Sequence, residues 1–178
     1  MPKQSAKKSV TRTLRMSEEM DLVIRSESER LGISPNSLVN KVMLLYKYVL
    51  RFDDPGTVLT MSKETFTSLL NQLEIDEIED VGYEFGNQKL KEHLLRRGME
   101  INHENIFWYI DQLGKNGGWF ISDIYKKKES TILHLKHTFG TKWSHFLSSY
   151  VSSIIHGELG LKVQSVLMEN DVHLTITK

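Results

Sequence analysis

Hydrophobic and polar positions change rhythm along the chain, and each change marks an element. Residues 9 to 16 alternate, with Val10, Leu14 and Met16 on one face and Thr11, Thr13 and Arg15 on the other, the period-2 signature of a strand. The spacing then lengthens to that of helices. Met20, Val23, Ile24 and Leu31 share one side of a helix over 18–31, interrupted by Glu27, and Leu38, Val42, Leu45, Val49 and Phe52 share one side of a second over 35–52. Val39, Met43, Tyr46 and Leu50 widen the second stripe so far that this helix needs cover on more than one side. Ser17 stands at the first N-cap with Glu18, Glu19 and Asp21 in the opening turn, Gly32 supplies the stop, and Ser34-Pro35 restarts the second helix.

Two acids and two helix breakers, Asp53-Asp54-Pro55-Gly56, interrupt the pattern. Beyond them the spacing predicts helices over 63–73, 84–97 and 103–114, capped at Ser62 and Asn102, with Gly82 and Gly86 blurring the start of the middle one. After Gly117-Gly118 the period returns to two. Strands over 119–126 and 130–138 form a hairpin closed by KKKE, a helix spans 141–157, and a second strand pair covers 161–168 and 171–177 with its turn at Glu169-Asn170-Asp171. The fold class is α+β, with helices followed by a four-stranded antiparallel sheet. The expected organisation is a flexible basic arm at 1–8, a small strand-helix-helix domain at 9–52, a linker at 53–58 and a larger domain at 59–178.

Charge sharpens the picture of the N-terminal part. Residues 1 to 16 hold five basic residues and no acid, whereas residues 55 to 178 hold 13 basic and 16 acidic, a net of −3. A basic segment on an otherwise acidic chain is the footprint of a phosphate-backbone binder. The lone strand has no neighbour in sequence to pair with, so a second copy of the chain is its simplest partner.

This strand, two helices and the Gly-x-Ser-Pro junction resemble the ribbon-helix-helix DNA-binding family of the MetJ, Arc and CopG type, over residues 9–52. The resemblance implies an obligate homodimer in which paired strands enter the major groove of double-stranded DNA, with pairing of dimers into a tetramer on DNA as an extension. By position, Thr11, Thr13 and Arg15 would face base edges, and Arg15 could take guanine O6 and N7 together. Lys7, Lys8, Arg12, Ser34, Asn36 and Ser37 would contact phosphates. Arg12 departs from the pattern, since it falls on the nominally buried face.

The later segments GYEFG, GGWF and LGLKVQSVLMENDVHLTI, within about 80–177, are similar to the small-molecule-sensing domain of the 4-vinyl-reductase type. That similarity implies an organic effector, although the cysteines that often accompany such domains are missing. Phe85, Trp108, Tyr109, Trp119 and Trp143 are the candidate pocket residues, drawn from an aromatic set whose plainer role is a core. No cofactor is expected beyond an unidentified small-molecule effector. The seven histidines show no chelating spacing, so no metal is expected; His134 and His137 would lie on opposite faces of a strand. There is no glycine-rich phosphate loop with its lysine, no nucleophile elbow and no HExxH, so no catalytic residue is assigned. No apolar run approaches a membrane span and cysteine is absent, which fits a cytoplasmic protein without membrane association.

The expectation is therefore a homodimeric, sequence-specific transcription regulator with a C-terminal ligand-sensing or assembly domain, and not an enzyme. Two alternatives use the same elements. One is an antitoxin-like DNA-binding protein whose C-terminal part holds a protein partner; the other is a ligand-binding or enzymatic domain dimerised by a ribbon-helix-helix.

Overall fold

The caps read from the sequence fix helix ends in the computed structural model, which describes residues 10–52 and 59–178. In α1 (Glu18–Leu31), Ser17 Oγ accepts from Met20 N at 3.2 Å, and Gly32, at φ 63°, turns the chain so that Gly32 N and Ile33 N close on Glu29 O and Ser28 O. In α2 (Pro35–Tyr48), Ser34 Oγ accepts from Ser37 N at 3.2 Å. The helix ends before the expected residue 52 and passes into a 3-10 turn, Leu50–Phe52. Residues 10–17 form no strand within the chain. The strand expected at 9–16 is therefore not formed among the described residues, and a lone strand has no ladder of hydrogen bonds to hold it. Lys7, Lys8 and Ser9, with the rest of the arm, and the linker at 53–58 lie outside the described residues.

The chain divides into two compact units, Met1–Met43 and Leu44–Lys178, the division falling inside α2. Among the described residues of the first unit only Ser28 is buried.

The second unit continues with α3 (Lys63–Leu70), α4 (Ile75–Arg96), α5 (His103–Lys115), β1 (Ile121–Lys126), β2 (Ser130–Lys136), α6 (Thr141–Leu159), β3 (Lys162–Leu167) and β4 (Asp171–Thr177). The strands form one antiparallel sheet in the order β1-β2-β4-β3. Alternation puts Leu133, Leu135, Val172, Leu174 and Ile176 on its inner face, buried with Leu147, Val151, Ile154 and Ile155 of α6. On the outer face His134 and His173 are cross-strand partners whose rings stack at 3.9 Å, and His134 Nε2 lies 2.7 Å from Asp171 Oδ1.

His137 lies past the end of β2 and is buried. Its Nδ1 accepts from Phe139 N at 3.2 Å, which leaves Nε2 to donate to Ser144 Oγ at 2.9 Å, while Ser144 Oγ donates to Met168 O at 2.6 Å. This chain of bonds requires the neutral imidazole. Burial accordingly holds the pKa of His137 below its ordinary value, partly opposed by Asp171.

The largest departure from the sequence reading is α4, which begins at Ile75 rather than near 84. Its start is secured by Glu77 Oε2, which accepts from Glu74 N at 2.8 Å. Gly82 and Gly86 are helical and buried, despite their poor helix propensity. The reason is α6, which crosses there with main chain almost against main chain. A Cβ on Gly82 would sit 2.8 Å from Phe146 O, and one on Gly86 would collide with Tyr150 O and Ser153 Oγ. Propensity alone makes Gly86→Ala stabilising by about 1 kcal/mol. The crossing predicts the opposite sign: destabilisation by about 1–3 kcal/mol from overpacking, read by denaturant unfolding.

Candidate functional site

Two neighbouring stripes of α4, each with four-residue spacing, do different work. Ile78, Gly82, Gly86, Leu90 and Leu94 are buried. Val81, Phe85, Lys89, His93 and Arg97, one position earlier or three later on the helix, line a cavity of about 390 Å³. Trp108, Tyr109, Gln112 and Leu113 bring α5 into the lining, Phe146 and Tyr150 bring α6, and Gly117, Trp119, Tyr48 and Val49 complete it. The volume falls at the lower end of the range for small-molecule sites, and the composition, mostly aromatic and aliphatic with a few polar groups, is typical of them.

Tyr109 and Tyr150 are both buried, and their hydroxyls meet at 2.8 Å. Burial, then the neighbouring Tyr109, push the Tyr150 phenol well above its ordinary pKa, so it stays protonated. The Trp119 ring packs at 5.3 Å from Tyr150 and 5.8 Å from Phe146.

Arg97 organises the remaining wall. Its Nη2 donates to Tyr48 O at 2.8 Å and its Nη1 to His93 O at 2.8 Å, so one guanidinium serves a carbonyl in the last turn of α4 and the final carbonyl of α2. Nη1 also lies 3.0 Å from His93 Nδ1. A guanidinium only donates, so Nδ1 is the acceptor there and the His93 proton sits on Nε2. The Tyr48 ring meets Trp108 edge-on at 6.4 Å. Lys89 stands toward the solvent, its side chain 42% exposed, with Nζ 2.9 Å from Glu92 Oε2.

Of the five aromatic residues singled out in the sequence, Phe85, Trp108, Tyr109 and Trp119 line this cavity. Trp143 does not. It stacks on Phe146 at 4.5 Å and its Nε1 donates to Trp119 O at 3.1 Å, so it places Trp119 from behind; it lines a separate depression with Phe66 and Phe139. Tyr48, Lys89, His93 and Arg97 escaped the sequence reading as a set. The spacing 89, 93, 97 was a usable signal, whereas nothing local ties Tyr48 to them. A larger depression of about 870 Å³ beside the β1–β2 turn is lined by charged and hydroxyl residues such as Lys127, Lys128, Glu129 and Thr175, together with Leu161 and Ile176.

In the first unit Thr11, Arg12, Thr13 and Arg15 are exposed, as are Val10, Leu14 and Met16 from the other face of the expected strand. Ser34, Asn36 and Ser37 are exposed at the start of α2, where the Ser34 and Ser37 hydroxyls lie 2.9 Å apart and Ser34 Oγ is already engaged as the cap. Neither helix of this unit covers the other's apolar stripe: α2 buries no residue, and Val42, Met43 and Tyr46 are 55%, 51% and 57% exposed. Among the described residues no helix is long and apolar enough to cross a membrane.

Comparison with known proteins finds no matching family model and no significantly similar curated protein.

The two hydrogen bonds that Arg97 donates, to Tyr48 O and His93 O, depend on its planar fork. Arg97→Lys keeps the charge and loses that geometry. It should lower stability by about 1.5–3 kcal/mol in denaturant unfolding, whereas Lys89→Gln at the exposed rim should change it by less than about 0.5 kcal/mol.

Proposed function

We propose that the chain is a homodimeric, sequence-specific DNA-binding regulator of the ribbon-helix-helix type, whose second unit holds an organic effector. The observation that carries this reading is the uncovered apolar surface of α1 and α2. Val23, Val42, Met43, Leu44, Leu45 and Tyr46 are all exposed, far more than a monomeric helix pair of this size tolerates. An interlocked second copy would bury these residues, bring two 9–16 segments together as a ribbon, and place Thr11, Thr13 and Arg15 on its outer side. The basic residues that precede α1 supply attraction to phosphates.

An effector could act on such a dimer only through different affinities for its binding-competent and incompetent forms. The cavity offers a short route for that difference. Tyr48, the last residue of α2, is part of its wall and is held there by Arg97, so a ligand that shifts Tyr48 or Trp108 acts on the end of the helix whose start is assigned to a phosphate. The folded core of the second unit favours this over an antitoxin-like tail, which would be short and ordered only on its partner.

Arg15→Ala tests the reading at the groove. On a duplex selected from random sequence by the wild-type protein, the variant should bind about 1–3 kcal/mol more weakly and discriminate less among base substitutions. Undiminished affinity and preference would contradict the assignment of the Arg15 face to DNA.

A further inference from the structure

We infer that the outer face of the sheet is a second homotypic interface, on which the second units of two chains pack sheet against sheet. This rests on the homodimer reading above and gives the second unit its own share of the dimer contact.

Layering is the first ground. The inner face of the sheet shares one core with residues of α4, α5 and α6. The strand registers put Ile121 and Tyr125 of β1, Ile132 of β2 and Val166 of β3 on the opposite face, and none of the four belongs to that core. Ile121 and Val166 are 72% and 62% exposed, at the two edges of the face; Tyr125 is exposed beside the first and Met168, just past β3, beside the second. A face edged on both sides by uncovered apolar side chains is of the kind that sheets bury against another sheet, with strands nearly aligned.

Charge decides what the face accepts. At its middle Lys136 Nζ lies 3.3 Å from Asp123 Oδ2, and His134 Nε2 lies 2.7 Å from Asp171 Oδ1, so these groups are already matched within the face. A nucleic acid or a strongly charged protein gains little on such a surface, whereas a second copy presents the same balanced set. A two-fold axis along the strands, between β2 and β4, lays β1 of one copy over β3 of the other. Ile121 then meets Met168 of the second copy, His134 meets His173, and Lys136 gains Asp171 as a second carboxylate, so apolar groups face apolar groups and opposite charges face each other. A two-fold axis across the strands through the row of His134 and His173 instead sets Asp123 on Asp123, a like-charge contact that disfavours it. Charge complementarity therefore selects both the occupant and its orientation.

The chain contains no cysteine, so introduced thiols report this contact alone. The full-length protein is made with Ile121→Cys and Met168→Cys together, with each substitution singly, and with Leu95→Cys, an exposed position on α4 away from the sheet. Each is treated at micromolar concentration with a short bis-maleimide and resolved on a denaturing gel. The double variant should give a two-chain band several-fold stronger than either single variant, because like edges of the two copies lie three strand spacings apart, roughly 14 Å. Leu95→Cys should give almost none. A double variant no better joined than the single ones, or no better than Leu95→Cys, overturns the sheet-face contact while sedimentation at two chains leaves the homodimer in place. A folded monomer in sedimentation overturns the homodimer reading itself, and the inference with it.

Discussion

The second unit depends on one close approach, the crossing of α4 and α6 at Gly82 and Gly86. Neither position has room for a Cβ against the main chain of Phe146 and Tyr150. Because the helices touch there, the stripe of α4 that contains those glycines is committed to α6, and the adjacent stripe is turned toward α5 and the end of α2. The same crossing delivers Phe146 and Tyr150 of α6 to the cavity. Cavity wall and helix packing are thus two consequences of one contact, and the cost of two mid-helix glycines is offset by the burial they permit.

A different constraint governs the first unit. Its helices are capped and regular, yet they have almost nothing to bury themselves in. Ser28 is 2% exposed while the large side chains of α2 stand out in solvent. Fourteen-residue helices are marginal on their own in water, so an amphipathic surface of this kind gains its stability from what covers it. In the proposed dimer a second copy would cover like with like, and the ribbon would be a by-product of the same association.

Local chemistry made much of the fold legible. Ser17, Gly32, Ser62 and Asn102 are caps where the sequence placed them, and the strands over 121–126, 130–136, 162–167 and 171–177 follow the period-2 segments. What escaped is what tertiary contact decides. Gly82 and Gly86 look like helix breakers until α6 is laid across them, and α4 therefore starts earlier than its composition indicates. Trp143 looks like any other pocket aromatic, and only its bond to Trp119 O shows that it supports the wall from outside. The partnership of Arg97 with Tyr48 spans 49 residues and has no local signature. Whether residues 10–16 pair as a ribbon is a property of two chains, and the pattern of one chain carries only the alternation.

The claim on which the rest turns is that α1 and α2 are half of a shared core. Sedimentation equilibrium of the full chain measures it without reference to DNA or ligand. The prediction is a particle of two 20.7 kDa chains at every concentration where the protein remains folded. A folded 20.7 kDa monomer at micromolar concentration would contradict it.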